Sequence, residues 1–306
     1  MAGFASLCPL APERWSRNAN VVNSNFTDAA LVLVGHGSTV NADSSAPVYQ
    51  HAEELRRRKI FSQVLEAFWK VEPRVTGVVS QVITPEVFVV PLFISEGYFT
   101  EEAIPVALGL RAEGEKEFSR IQQRGNQTFY YCAPVGTHPS MTEVLLARAR
   151  EVVERHPFPR PPKPKEIALF IAGHGTGANE NSRKAVERQV EIIRQQKEYA
   201  EVHPVFIEED PRIADCYQMT EARNIVMIPF FISDGMHVRE DIPVLLGESE
   251  RLVQERLKNG QPTWRNPTER KEKRVWYSSS VGTEFRLADV ILERVRDAVE
   301  KRSLEK

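Results

Sequence analysis

The chain repeats itself, and that constrains its fold more than any other feature. Leu31-Val-Leu-Val-Gly35-His36-Gly37-Ser38-Thr39 returns 138 residues later as Leu169-Phe-Ile-Ala-Gly173-His174-Gly175-Thr176. Phe88-Val-Val-Pro91-Leu-Phe-Ile-Ser95-Glu96-Gly97 returns at the same offset as Val226-Met-Ile-Pro229-Phe-Phe-Ile-Ser233-Asp234-Gly235, and Phe68-Trp-Lys-Val-Glu-Pro73-Arg74-Val75 as Phe206-Ile-Glu-Glu-Asp-Pro211-Arg212-Ile213. A fourth block, Val135-Gly136-Thr137, returns as Val281-Gly282-Thr283 at an offset of 146, so the second copy has gained eight residues. The polar stretch 259–273 is where they are expected. Four blocks in one order at nearly constant spacing mean two homologous domains, so one fold must be built twice.

The boundary is legible too. His156-Pro-Phe-Pro-Arg-Pro-Pro-Lys-Pro-Lys165 cannot continue a helix and reads as a semi-rigid linker, residues 156–165. The copies are therefore expected at 28–155 and 166–306, and a chain of 306 residues suits two such domains. Within each copy, short continuous apolar runs (30–34 and 167–172, 88–94 and 225–232) read as strands buried on both faces. Helical spacing follows at 181–197 and 242–257. Strand and helix in alternation predict an α/β fold with a parallel sheet, whose ligands sit at the carboxyl ends of the strands.

Composition excludes other classes. With 40 Lys+Arg against 42 Asp+Glu the formal net charge is −2, which argues against nucleic-acid binding. No apolar run approaches a membrane span. Met1 to Asn25 has no continuous apolar stretch; it reads as a loose arm without a secretory signal, and a cytoplasmic protein is expected. Cys8, Cys132 and Cys216 are odd in number and form no CxxC pair, which predicts reduced, inert thiols. Neither GxGxxG nor GxxxxGK[ST] is present. The basic run 265–274 reads as a solvated loop.

The chemistry concentrates in the repeated loops. His174, between Gly173 and Gly175, follows one strand, and His237 in Ser233-Asp-Gly-Met-His-Val-Arg-Glu-Asp follows another. Two imidazoles at adjacent strand ends can bind one divalent cation, and Glu208 adds a carboxylate at the same edge. In the first copy His36 remains, but the position of His237 is Phe99 and that of Glu208 is Lys70. A metal site, if formed, therefore belongs to the second copy. Phe99 and Tyr98 read equally as an apolar wall against a flat ligand or as core packing. His51, His138, His156 and His203 lack a repeated counterpart and read as structural or surface groups, His138 being the strongest exception. The Gly-His-Gly loops lack the arginine that histidine phosphatases place beside their nucleophile.

Gly173-His174-Gly175, Phe206-Ile-Glu208 and Phe231-Ile-Ser-Asp-Gly-Met-His237-Val-Arg-Glu-Asp-Ile-Pro243 resemble the class II tetrapyrrole chelatases, in particular the sirohydrochlorin cobaltochelatase (CbiX) type. The resemblance covers nearly the whole chain as two tandem copies. It implies two flavodoxin-like domains facing each other across a central cleft. It also implies ATP-independent insertion of a divalent metal into sirohydrochlorin, with His174 and His237 handling metal and Glu208 as the acidic group. Members with two domains more often keep the active pair in the first half, so its place in the second is a departure. The expectation is a sirohydrochlorin metallochelatase with no prosthetic group, taking Co2+ (or Fe2+ or Ni2+) as substrate metal. Arg239 and Arg183 are the candidates for the substrate's carboxylates. The rival reading is a non-catalytic binder of metal or tetrapyrrole. The sequence sets no oligomeric state.

Overall fold

The computed structural model describes residues 26–177 and 180–304; the arm expected at Met1 to Asn25, with Cys8, lies outside them. In the first half the strands are β1 (Phe26–Gly35), β2 (Phe61–Phe68), β3 (Glu86–Pro91), β4 (Ile121–Arg124) and β5 (Gln127–Tyr131). The second half repeats them as β6 (Ile167–Gly173), β7 (Glu201–Phe206), β8 (Asn224–Pro229), β9 (Thr268–Arg270) and β10 (Lys273–Tyr277). The sheet orders are β2-β1-β3-β5-β4 and β7-β6-β8-β10-β9. Four strands of each sheet are parallel, and β4 and β9 close the edges antiparallel. This is the expected α/β, flavodoxin-like order, with its topological switch between β1 and β3 and between β6 and β8. Every residue of β6 is buried, because helices or loops cover both faces.

The helices are α1 (Ala46–Arg58), α2 (Val75–Val78), α3 (Ile104–Ala107), α4 (Met141–Arg155), α5 (Glu180–Gln196), α6 (Ile242–Leu245), α7 (Glu250–Lys258) and α8 (Leu287–Leu304). No helix among the described residues is long and apolar enough to cross a membrane. Two expectations are corrected. The helix expected over 242–257 is broken into α6 and α7: Gly247 adopts φ +95°, and Ser249 restarts the chain by capping the Leu252 N–H at 3.3 Å. The run 265–274 is no free loop, for β9 and β10 form a hairpin through it. Two of its arginines are paired, Arg270 with Glu248 at 2.8 Å and Arg274 with Glu269 at 2.9 Å. The eight extra residues lie between Leu246 and Thr268, where α7 stands opposite an irregular loop of the first half.

The closing helix of each copy packs on the other copy's sheet. Helix α4 lies against β8 and β10, and α8 lies against β3. One apolar core therefore runs through both halves, joining Leu31, Phe88 and Val144 to Leu169, Val226, Trp276 and Ile291. Separate cores, around Val89 and Ile104 and around Met227 and Ile242, cover the outer faces of the two sheets.

Two buried arginines at equivalent positions fasten the exchange. Arg148 of α4 donates to the Ser280 carbonyl at 3.0 Å and the Thr283 hydroxyl at 2.6 Å. Arg294 of α8 donates to the Pro134 carbonyl at 2.7 Å and the Thr137 hydroxyl at 2.6 Å. Each guanidinium thus holds the Val-Gly-Thr turn of the opposite half. Glu151 and Asp297 form ion pairs with Arg148 and Arg294 at 2.6 and 3.3 Å. Fully buried His51 crosses the same seam, its Nε2–H donating to the Gly282 carbonyl at 2.7 Å. Its repeat counterpart is Gln189, which donates to the His138 carbonyl at 3.1 Å.

Two stability results follow. Truncating Arg294 to Ala strands two acceptors in a buried seam and costs about 2–4 kcal/mol in urea denaturation. Lysine at that position recovers less than half, because an ammonium lacks the planar fork. Burial is the main reason the His51 imidazole titrates below its usual range, with Arg58 and Arg148 pushing the same way against Gly282 and Glu54. Folded protein therefore binds fewer protons than unfolded, and stability falls as pH drops below about 6.5. His51→Gln, measured by denaturation across pH 5 to 8, flattens that slope.

Candidate functional site

His174 follows directly on β6. Gly175 takes φ +64°, where a side chain's Cβ would come within 2.7 Å of the Phe206 Cβ, so only glycine allows the turn. The turn leaves the imidazole at the sheet edge, 32% exposed. His237 opens a π-helical turn, His237–Asp241, just after the loop that leaves β8. Such single π turns recur at functional sites. This one brings Asp241 beneath the ring, and His237 Nδ1–H donates to Asp241 Oδ2 at 2.6 Å. That bond occupies Nδ1 and leaves Nε2 as the nitrogen with the lone pair.

The two rings meet. Their centroids are 4.8 Å apart and their planes are inclined by 79°. Glu208, two residues beyond β7, places Oε1 3.7 Å from His174 Nε2 and is half exposed. The strand order β7-β6-β8 sets Glu208, His174 and His237 in a row along the carboxyl edge, across the switch point. The structure thus brings together the three side chains named from the sequence. Asp241 was missed there; its signal is the four-residue spacing from His237 at the start of a helical segment. Among the described residues no three His, Cys, Asp or Glu side chains converge into a closed metal-binding set.

The first half reproduces this geometry with other chemistry. His36 and Phe99 have ring centroids 4.8 Å apart at 83°, and Phe99 likewise opens a π turn, Phe99–Ala103. Lys70 donates its N–H to the His36 carbonyl at 2.9 Å, as Glu208 does to His174 at 3.1 Å. Phe99 is half-buried against Phe93 and Trp69, both with ring centroids 6.1 Å away. Its neighbour Tyr98 is exposed. Burial, aided by the Lys70 ammonium, holds the His36 imidazole below its usual range.

Of the two arginine candidates, Arg239 forms an ion pair with Asp43 of the other half at 2.6 Å. It lines a cavity of about 490 Å3 between the halves, beside Asp234, Val238 and Tyr277 and two residues after His237 in sequence. Arg183 bonds Glu187, Glu209 and the Asp210 carbonyl at 2.8, 3.1 and 2.9 Å. It also covers the Phe206 ring at 4.8 Å, so it props the loop that carries Glu208. His138 bonds Ser140 at 2.6 Å, and His203 bonds Glu201 at 2.8 Å. His156 offers its carbonyl to the Trp276 indole at 2.9 Å. Cys132 and Cys216 are buried free thiols pushed up to about 12 by burial.

A family model described as CbiX matches residues 30–152 and again residues 168–298. The chain belongs to the CbiX family. It is 41% identical over 279 residues to the "Probable sirohydrochlorin cobaltochelatase" of Halobacterium salinarum, covering 88% of this chain and 91% of that one. The sirohydrochlorin cobaltochelatase of Methanopyrus kandleri is 21% identical over 152 residues, 97% of its own length but 44% of this chain. The Deinococcus radiodurans protein DR2241, described as similar to chelatases with two additional domains, superposes with a TM-score of 0.69 at 28% identity. That match covers 87% of this CbiX chain and 54% of DR2241. Asp241→Ala in this CbiX chain is expected to weaken Co2+ binding about 10- to 100-fold by freeing the His237 ring; a cobalt absorbance titration measures it.

Proposed function

We propose that this CbiX chain inserts a divalent metal, cobalt first, into sirohydrochlorin without ATP, and that His174, His237 and Glu208 carry the step. The observation behind the assignment of the site is the 4.8 Å imidazole pair in the second half, whose first-half counterpart is an imidazole and a phenyl ring. The favoured metal follows the family members that act on cobalt.

The residue types suit the reaction. Neutral imidazoles bind Co2+, Fe2+ and Ni2+ well yet exchange them, where thiolates hold faster. His174 and His237 present the cation to one face of the macrocycle. As the ring nitrogens take the metal, two pyrrole N–H protons must leave. Glu208, half exposed beside His174, accepts the two protons one after the other and passes each to water. The metal is substrate, and no prosthetic group is needed. The Asp43–Arg239 pair lies beside His237 at the mouth between the halves, where a substrate carboxylate can replace Asp43 on the guanidinium.

Cobalt insertion is followed by the absorbance change of sirohydrochlorin. His174→Ala and His237→Ala are each expected to lower the rate at least about 100-fold, the scale of losing a metal ligand or its support. Rates untouched by both substitutions contradict the site. Tight binding of sirohydrochlorin and Co2+ without turnover in the native chain identifies a carrier instead.

A further inference from the structure

The two sheet edges stand side by side. Asp43, in the segment that leaves His36, reaches Arg239 in the turn begun by His237. Asn181, in the segment that leaves His174, donates to the Glu96 carbonyl at 3.2 Å, just before Tyr98 and Phe99. The His36–Phe99 set therefore lies across a gap from the His174–His237 pair. Charge differs sharply between the walls: the exposed Lys70 ammonium stands where the second half has the Glu208 carboxylate. A cation is repelled from the first wall and drawn to the second, and a polycarboxylate is drawn to the first. Apolar surface is left open here as well. Tyr98 and Met236, repeat-equivalent residues one on each wall, are 62% and 60% exposed. On the first wall Tyr98 belongs to an aromatic cluster with Phe99, Trp69 and His36, backed by Phe93.

We infer that the first half has become the platform for the tetrapyrrole, Tyr98, Trp69 and His36 lying against the macrocycle and Lys70 holding one of its carboxylates. Stacking of a flat π system on aromatic side chains favours this wall, and the ammonium sets the ring's rotation. The second half is then left free to bring the metal to the opposite face. This assignment rests on the tetrapyrrole chelatase reading above.

The test separates the two substrates. Tyr98→Ser and Lys70→Glu alter exposed side chains, and circular dichroism checks that the variants fold. Each is expected to raise the KM for sirohydrochlorin about tenfold while the KM for Co2+ stays within about twofold. A sirohydrochlorin KM unchanged in both variants overturns the platform, as does a parallel rise in both KM values. If the native chain binds sirohydrochlorin but inserts no metal, the chelatase reading falls on its own. The platform is then judged by the dissociation constant for sirohydrochlorin from absorbance titration: tenfold weakening in the variants sustains it, and no change overturns it.

Discussion

The structure depends on a reciprocal exchange. Helices α4 and α8 each leave their own copy and cover the other's sheet, and Arg148 and Arg294 lock the crossing onto the opposite Val-Gly-Thr turn. A guanidinium in a buried seam is tolerable only when its donors are used, and here carbonyl, hydroxyl and carboxylate oxygens take them. The consequence is that the halves share one apolar core and cannot hinge apart without opening it. The two carboxyl edges are tied to each other as well, by Asp43–Arg239 and Asn181–Glu96.

Duplication followed by divergence explains the asymmetry of that cleft. The backbone recipe is the same on both sides: a Gly-His-Gly turn, a π turn after the third strand, and a ring pair 4.8 Å apart. Three of the differences between the walls bear on the ring pair: Phe99 against His237, Lys70 against Glu208, and Ala103 against Asp241. Together they exchange an imidazole for a phenyl ring, reverse a charge and delete the carboxylate that holds the ring. Geometry was kept while the chemistry moved, and of the two ring pairs the second half's alone is made of two imidazoles with a carboxylate beside it.

Much of this was legible in the chain. The offset of 138 between blocks revealed the tandem fold, because a repeat of that length cannot be conserved in order without being a structural unit. The histidines were found because glycine neighbours and strand ends mark exposed loops. What escaped was non-local. The crossing of α4 and α8 has no sequence signature, since an amphipathic helix packs equally well on either sheet. Arg148 and Arg294 could have been suspected, for they recur at the offset of 146 on the buried side of both closing helices. Asp241 hid in a helix-like segment whose π turn is a matter of one extra residue per hydrogen bond. The break at Gly247 was read as helix because the apolar spacing runs on through it.

The central claim is that one wall alone takes the metal. Anomalous diffraction from crystals soaked in Co2+ tests it most directly. A single cobalt peak between His174 and His237, within bonding distance of a nitrogen of each, is the predicted result. A peak at His36, or none near either imidazole of the second half, contradicts it.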